Sequence, residues 1–107
     1  MAYKVLAQSA PSAATATDVY TVGSGVETVI STIIIANRAA TAGTFRLSVR
    51  PNGGTQTNAM YCAYDVLVAA NDSTTLTLGL TVDAADVITV DCSSADMSIN
   101  IFGTEIS

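Results

Sequence analysis

Hydrophobic residues alternate with small polar residues through most of this chain. The alternation is clearest in residues 74–82, where the predicted inward positions are Leu76, Leu78, Leu80 and Val82. Because successive side chains of a β-strand point to opposite faces, a period of two is typical of a strand with one buried face. The pattern recurs about eight times without a helical run between repeats. It predicts an all-β fold: a single-domain β-sandwich or jelly roll of about eight antiparallel strands.

Turn-forming residues separate the predicted strands and fix their approximate bounds. Glycine, proline, asparagine and aspartate cluster between the hydrophobic runs, as they do at tight turns. The eight predicted strands are residues 4–8, 18–22, 27–37, 44–50, 59–68, 74–82, 87–92 and 97–101. Residues 27–37 are too continuously apolar for simple alternation, which indicates a central strand that is covered on both faces or contains a bulge.

The length of 107 residues fits one domain, residues 1–107. Residues 8–17 are rich in Ala, Ser and Thr, so they form either an extended N-terminal arm that lies on a neighbouring molecule or an ordinary edge strand with a mobile lead. No segment has the ~20 apolar residues that span a bilayer, and the apolar run near the N-terminus is too short for a signal peptide. We therefore expect a soluble protein that is not exported and has no membrane partner.

Charge is scarce on this chain. Charged residues make up 12%, with four Lys plus Arg against nine Asp plus Glu and a formal net charge of −5. Direct nucleic-acid binding is disfavoured because neutralising phosphates requires clustered basic residues. Lysine and glutamate normally keep exposed strands apart, and here Thr, Ser and Ala fill most outward positions instead. Weakly charged surfaces are typical of interfaces, so the composition predicts homo-oligomerisation or docking onto a larger assembly.

The residue types on which most catalytic sites depend are missing or scattered. The chain has no histidine, so the commonest general base and neutral metal ligand are absent. No serine lies in a nucleophile-elbow motif. The aromatic residues are too few for a sugar platform around a carboxylate pair built on Asp65. We predict a protein without enzymatic activity and without a catalytic, cofactor-binding or metal site.

The acidic residues and the cysteines have simple structural interpretations. Four aspartates fall at or near predicted turns: Asp83, Asp86, Asp91 and Asp96. Aspartate at a turn usually hydrogen-bonds to its own backbone, and calcium coordination is the alternative. Cys62 and Cys92 are predicted to be buried free thiols, because small domains that depend on disulfides usually contain more cysteines.

Three arginines form the only concentrated positive feature. Arg46 and Arg50 lie on the same face of one predicted strand, and Arg38 ends the strand before it. One interpretation is a docking patch for an acidic neighbouring protein. The other is a solvated face on which the arginines pair locally with aspartates, and the sequence leaves both open.

Several stretches of the sequence resemble viral structural proteins. They are residues 1–11 (MAYKVLAQSAP), 35–42 (IANRAATA), 64–72 (YDVLVAAND) and 86–90 (DVITV). Together they look like small virion structural proteins of tailed bacteriophages, in particular those that infect cyanobacteria. These motifs are strand and turn sequences and not catalytic signatures.

Within that group, the chain most resembles capsid cement or decoration proteins, which commonly form trimers over gaps between major capsid subunits. The resemblance implies a homo-oligomer, with a trimer favoured, that binds the major capsid protein or another virion protein. Such a protein stabilises the head and is assembled into the virion in the host cytoplasm. The candidate capsid-docking residues are Arg38, Arg46 and Arg50. The candidate oligomer or arm contacts are Tyr3, Gln8 and Pro11.

Two alternatives stay open. Similar β-sandwich modules occur in the necks, tails and fibres of phage particles. A carbohydrate- or host-receptor-binding module is the second alternative, and it predicts exposed tyrosines or aspartates on the loops near Gly53, Asn71 or Ser93. The tyrosines available for such binding are Tyr3, Tyr20, Tyr61 and Tyr64. Packing in the core or in an interface is the simpler interpretation of these side chains.

Overall fold

Nine strands form the folded body of the chain in a computed structural model that describes residues 3–77 and 79–107. The strands are β1 (Lys4–Ser9), β2 (Thr17–Thr21), β3 (Glu27–Asn37), β4 (Gly43–Arg50), β5 (Tyr61–Val68), β6 (Ser73–Leu76), β7 (Leu80–Val82), β8 (Val87–Cys92) and β9 (Met97–Ile106). Two short 3₁₀ turns, Pro51–Gly53 and Asn58–Met60, lie between β4 and β5. The predicted all-β class is confirmed.

Two antiparallel sheets pack face to face as a β-sandwich. Sheet A has the order β1-β9-β3-β6, and β7 also belongs to it: β6 pairs with the second half of β3 and β7 with the first half. Sheet B has the order β2-β8-β4-β5. The longest strands, β3 and β9, pair along nearly their whole length in the middle of sheet A. Most strand pairs therefore join distant parts of the chain.

The core lies between the sheets and receives large apolar side chains from both. Those of sheet A are Ile30, Ile33, Ile35, Ile99 and Ile101, each at most 2% exposed. Those of sheet B form a matching layer of Phe45, Leu47, Ile88, Val90 and Cys92. Burying one large aliphatic or aromatic side chain contributes roughly 1.5–3 kcal/mol, so this double layer is the main source of stability.

A bulge interrupts the alternation of β3. Ile30 pairs with Gly103 and Thr32 pairs with Phe102, so Ser31 has no partner of its own on β9. Its hydroxyl donates a hydrogen bond to the Phe102 carbonyl oxygen at 3.2 Å. The extra residue shifts the inward–outward alternation by one position, so the inward residues Ile30 and Ile33 are separated by two residues. The predicted bulge is thus confirmed, whereas the run from Ile33 to Ile35 is continuous because Ile34 occupies an outward position.

Gly103 allows the two central strands to approach each other at this bulge. A Cβ at position 103 would collide with the carbonyl oxygen of Val29 and lie 3.0 Å from the Cα of Ile30. A larger residue would therefore push β9 away from β3. The predicted last strand ended at residue 101, but β9 continues to Ile106 because the glycine accommodates the bulge instead of ending the strand.

The edge strands that the structure describes are all irregular. Leu6 in β1 and Val19 in β2 are extra residues without a cross-strand partner. Strand β5 has two bulges, one at Tyr64 and Asp65 and one at Cys62. The remaining edge is divided between β6 and β7. Bulges and breaks interrupt the row of free backbone groups to which a foreign strand could pair.

Residues 74–82 form two strands and not the predicted single one. Strands β6 and β7 are separated at Gly79, whose φ of 63° is a left-handed conformation that favours glycine. Leu76 and Leu80 are half-buried and Val82 is buried, as the alternation predicts. Leu78, the fourth predicted inward position, lies outside the described residues, as do the first two residues of the sequence.

The segment of residues 8–17 follows the surface of its own domain. Gln8 and Ser9 belong to β1 and pair with β9, and the Ala14 amide donates a hydrogen bond to the carbonyl oxygen of Cys92 at 2.7 Å. Pro11 is buried. The segment carries the chain from sheet A to sheet B, and only its first two residues belong to an edge strand.

Candidate interaction faces

Each sheet of the sandwich has an outer face, and the two faces differ in chemistry. Face A is the outer side of sheet A, and face B is the outer side of sheet B. Directly paired residues of an antiparallel sheet point to the same side, so the strand register identifies the members of each face. These two faces are the candidate interaction surfaces of the chain.

Arg46 is the centre of face B. Its Nε donates a hydrogen bond to Oδ1 of Asp65 at 2.7 Å, and its Nη2 lies 3.4 Å from Oδ2. The guanidinium carbon lies 4.1 Å from the centroid of the Tyr64 ring, which is a cation–π contact. The hydrogen bond to Asp65 raises the pKa of Arg46 above its ordinary value. Both groups that hold the arginine belong to β5 of the same chain.

A β-bulge in β5 creates this arrangement. Tyr64 and Asp65 together oppose the single residue Arg46, and Asp65 has a φ of 51°. A left-handed conformation costs a non-glycine residue roughly 1–2 kcal/mol. The bulge brings two consecutive side chains to the same arginine, and the Tyr61 ring packs edge-on against Tyr64 with centroids 4.9 Å apart. A tyrosine pair and an ion pair therefore share one corner of face B.

Arg50 lies on face B and binds the segment that follows β4. Its Nη2 pairs with Oδ1 of Asp18 at 2.8 Å, and its Nε donates to Oγ1 of Thr89 at 3.1 Å. Its Nη1 donates to the carbonyl oxygens of Gly53 and Gly54 at 3.2 and 2.9 Å. Only 18% of the side chain is exposed. Arg50 is therefore largely engaged within its own chain.

Arg38 lies apart from the other two arginines, just after β3. Its Nε donates to Oγ of Ser98 at 2.9 Å, and its Nη2 donates to the carbonyl oxygen of Ala95 at 3.2 Å. The three predicted docking arginines thus form no common patch, since Arg46 and Arg50 lie on face B and Arg38 joins β3 to the turn before β9. The local pairing with aspartates that the sequence left open is present at Arg46 and Arg50.

A shallow cleft lies beside Arg46 on face B. It has a volume of about 350 Å³ and is lined by Ala14, Thr44, Arg46, Asp65, Asp91 and Ser93. Asp91 lies directly across from Arg46 in the sheet, but the arginine bonds to Asp65. Of the three loop positions expected near a receptor site, Ser93 lines this cleft, whereas Gly53 and Asn71 do not. The tyrosine and aspartate group therefore lies on a sheet and not at the loop tips.

Two of the turn aspartates bind backbone amides, as the sequence predicts. Asp86 accepts hydrogen bonds from the amides of Asp83 and Asn52, both at 2.8 Å, and Asp83 accepts one from the amide of Ala84. Asp91 instead lies within β8, on face B. Within residues 3–77 and 79–107, no group of three or more His, Cys, Asp or Glu side chains is placed to hold a metal ion.

The two cysteines are free thiols on strands that flank β4. Two strand spacings are about 9.6 Å, which exceeds the Cα separation of a disulfide. Cys92 is buried, and this burial, with a smaller effect of Asp91, raises its pKa to about 11. The expected burial of Cys62 is wrong: as the extra residue of a bulge at a sheet edge, Cys62 is exposed. It lines a cleft with Val49 and Met60, and partial burial still raises its pKa.

Tyr20 connects the two sheets at one end of the core. Its hydroxyl lies 2.9 Å from Oγ1 of Thr28 and donates to Oε2 of Glu105 at 2.7 Å. The other Glu105 oxygen pairs with Nζ of Lys4 at 2.8 Å. Burial raises the pKa of Tyr20, whereas the hydrogen bonds from Lys4 and from Tyr20 lower the pKa of Glu105. Of the tyrosines considered for sugar binding, Tyr20 is thus a core residue.

Face A is built mostly from apolar and neutral polar side chains. Its described members in β1, β3, β6, β7 and β9 are Val5, Gln8, Glu27, Val29, Thr32, Ile34, Ala36, Ser73, Thr75, Thr81, Ser98, Asn100, Phe102, Thr104 and Ile106. Glu27 is the charged residue among them, and it lies at the first position of β3, away from the centre of the face. Val5 is 49% exposed, and Ile34 and Phe102 are half-buried although no described segment of the chain crosses over them. Face A is therefore a partly apolar sheet surface without charge at its centre.

The predicted oligomer contacts fall partly on this surface. Gln8 lies on face A, where its Nε2 donates a hydrogen bond to Oδ1 of Asn100 at 2.8 Å. Tyr3 directly precedes β1 and is 75% exposed. Pro11 is buried in its own chain and has little surface left for a partner. Sequence reasoning missed the rest of face A, although Ile34 in the middle of the longest apolar run was a usable signal.

No protein-family model, curated protein or solved structure matches the chain. Among the described residues, no helix has the length and hydropathy needed to cross a membrane. The two sheet faces are therefore the basis on which a function is assigned.

Proposed function

We propose that this chain is a structural subunit of a tailed-bacteriophage virion, without enzymatic activity, that acts as a capsid decoration protein. It associates with copies of itself and with the major capsid protein, stabilises the head, and is assembled into the virion in the host cytoplasm. The sequence resemblance supports this proposal. The single observation that carries it is face A, a sheet face with an uncharged, partly apolar centre that no described part of the chain covers.

Face A has the composition of a sheet that is covered on both sides. Val29, Ile34 and Phe102 occupy outward positions on the two central strands of sheet A. Sheets with one solvated face usually carry polar residues there, whereas continuous apolar strands are typical of sheets that are buried on both faces. Contact with another protein would bury these side chains. The chain as a whole carries a net charge of −5, whereas the positions around Ile34 carry none.

The irregular edge strands favour contact through faces. A partner that added a strand to an edge would need a continuous row of free backbone groups. Bulges at Leu6, Val19 and Asp65 interrupt three of the edge strands, and the fourth edge is divided. A rigid sandwich that binds through its faces can bridge neighbouring subunits. When copies are linked, each further contact forms at a high effective concentration, so the assembly dissociates slowly.

A cryo-electron microscopy map of the intact particle, combined with the copy number from quantitative mass spectrometry, tests the proposal. We expect density for this sandwich at repeated positions on the head lattice and hundreds of copies per particle. Density confined to the neck, tail or fibres, with a few copies per particle, would overturn the decoration role in favour of a connector or fibre module. Absence from purified particles would overturn the virion assignment altogether.

A second candidate function, binding of a glycan or a host receptor, is favoured by the corner of face B around Tyr64. Arg46, Asp65 and Asp91 line a cleft there, and the Tyr64 ring, which is 55% exposed, packs against Arg46 with Tyr61 beside it. Exposed aromatic rings next to hydrogen-bonding side chains are suited to a polyhydroxylated ligand. A glycan array compares the wild type with Tyr64→Ala, with Tyr3→Ala as the control. Binding that only Tyr64→Ala abolishes supports this candidate, and no binding by the wild type excludes the arrayed glycans.

A further inference from the structure

We infer that face A binds a second copy of this chain, face to face, around a two-fold axis near the middle of β3. The inference rests on the proposed function and deepens it, because it names the partner of face A. The evidence is the size of the face, the chemistry of its polar side chains and the position of its apolar side chains.

The size of face A matches half of a stable interface. Strand β3 has 11 residues and is about 36 Å long at ~3.3 Å per residue. The other strands of sheet A are shorter, so its 34 strand residues, at ~3.3 Å along a strand and ~4.8 Å between strands, set the area. The face therefore covers roughly 540 Å² per copy, or roughly 1,100 Å² in a pair, which lies above the ~1,000 Å² expected of a biological interface.

The polar side chains of face A can pair with their own copies. Gln8, Thr32, Thr75 and Asn100 each contain both a hydrogen-bond donor and an acceptor. A charged side chain near a two-fold axis would instead meet the same charge on the partner. Two copies that each carry a net charge of −5 repel each other, so a contact without charge near its axis is favoured. The middle of face A meets that condition, because Glu27 lies five residues from Thr32 at the beginning of β3, whereas face B carries Arg46 and Asp91 directly opposite each other.

The apolar side chains lie where a two-fold pair would bury them most completely. Ile34 is central, since it pairs with Asn100 on one side and with Thr75 on the other. Val5 and Phe102 pair with each other across β1 and β9 and extend the apolar area toward one edge. Sheets that pack face to face interdigitate such side chains across about 10 Å. A second copy would thus complete the covering that the apolar outward positions of β3 require.

Pairing one face with itself produces a closed two-fold dimer. The trimer that the sequence resemblance favours needs two different surfaces on each copy, so the two arrangements predict different masses. Sedimentation equilibrium of the full chain across the micromolar range distinguishes them. We expect a mass that rises from one chain of 10.9 kDa to twice that value. A mass that stays at one chain, or that reaches three chains, would overturn the inference.

Lysine substitutions locate the contact. Ile34→Lys places two like charges near the axis of the pair, and we expect dimerisation to weaken at least about a hundredfold. Thr32→Lys tests the same area with less change to the sheet, and it decides the question if Ile34→Lys does not fold. The matched control is Thr55→Lys, which makes the same exchange at an exposed residue outside both sheets. If Thr32→Lys dimerises as strongly as Thr55→Lys, face A is excluded as the contact between the two copies.

Binding to phage heads and self-association are tested separately, so one can fail without the other. Wild-type and Thr32→Lys proteins are each added to purified heads that lack this subunit, and bound protein is measured by sedimentation. A wild-type chain that is monomeric in solution but binds heads would refute the self-pairing and leave the decoration role intact. A chain that dimerises through face A but does not bind heads would refute the decoration role alone.

Discussion

Face A and face B belong to sheets of similar size, but they use polar residues in opposite ways. On face B, Ser48 and Thr89 are only 2% and 6% exposed because the segments before β2 and after β4 lie near them. The Ser48 hydroxyl donates to Oε1 of Gln56 in the second of these segments at 2.6 Å. On face A, no comparable segment is present among the described residues, and its charged member, Glu27, lies at the beginning of β3. Charged side chains thus lie in the middle of face B and not in the middle of face A.

This difference bears on where the proposed docking site lies. Arg46 and Arg50 are the most prominent cations in the sequence, but each is held by an aspartate of its own chain. Face A lacks any such marker in the sequence, and Ile34 on it is only half-buried, but exposed apolar side chains also lie on face B, where Leu67 is 65% exposed. The proposal of face A therefore depends on the lack of charge at its centre, since interface cores are depleted of charged residues.

The largest effect is expected from Gly103→Ala, which breaks the centre of sheet A. The added Cβ would meet the Val29 carbonyl oxygen, so β9 and β3 must separate, and we expect a loss of about 2–4 kcal/mol in the free energy of unfolding. Urea denaturation measures it. Gly23→Ala is the control, because its nearest neighbour is the Val26 side chain at 3.6 Å. If Gly103→Ala loses no more unfolding free energy than Gly23→Ala, the bulge tolerates a side chain at position 103.

The next largest effect is expected on face B, from Arg50→Ala. This variant removes four donor contacts from a side chain that is only 18% exposed, so we expect a loss of about 1–3 kcal/mol. Arg46→Ala removes a solvent-exposed ion pair and should therefore destabilise the fold less than Arg50→Ala does. Urea denaturation of both proteins measures the difference. If Arg46→Ala loses more unfolding free energy than Arg50→Ala, the bulge in β5 stabilises the fold more than the attachment of the segment after β4.

A smaller effect is expected at the contact between the sheets, from Glu105→Gln. Because the hydrogen bonds from Lys4 and Tyr20 lower the pKa of folded Glu105, the ionised form stabilises the fold. This contribution is complete above the ordinary glutamate pKa and is lost as the pH falls through the lowered one. Glu105→Gln should therefore be less stable than wild type at neutral pH, and the difference should disappear in acid.

Thermal unfolding between pH 2 and 7 tests the Glu105 prediction, with Glu27→Gln as the control. Glu27 is exposed at the start of β3, so its substitution should change stability little at any pH. If Glu105→Gln remains less stable than wild type by the same amount in acid, the contact depends on side-chain packing and not on the charge of Glu105.

The smallest effect is expected from Asp65→Asn. Asparagine tolerates the φ of 51° and keeps an acceptor for Arg46, so the bulge should survive with a change within about 1 kcal/mol. Asp65→Val, which is β-branched, should lose more because this conformation strains it. Chemical denaturation of both variants provides the comparison. A loss for asparagine as large as that for valine would show that the charge fixes the bulge.

Much of the fold could be predicted because its signals are local. Residues 27–37 and 87–92 have the bounds that the alternation and the turn residues indicate. The division of residues 74–82 was missed because the alternation continues through Gly79, whose backbone conformation leaves no trace in the hydrophobic pattern. The extension of β9 was missed for a related reason, since Gly103 resembles a strand end until the bulge opposite it is known.

The candidate surfaces depended on information that the sequence does not contain. Arg46 and Arg50 were correctly placed on one face, because they lie four residues apart on a strand. The partner of Arg46 was not predictable, since Asp65 reaches it only through a bulge that forms when β5 pairs with β4. Face A required the register of four strands. Ile34 and Phe102 are 68 positions apart in the chain, and only the pairing of β3 with β9 assigns them to one surface.

The ion pair between Lys4 and Glu105 has a consequence for engineering the molecule. It brings the beginning of β1 and the end of β9 side by side, so a linker of a few residues could join them with little loss of chain entropy. New ends could then be opened in the exposed connection between β3 and β4, around Thr41. Such a circular permutant would keep every described strand pair.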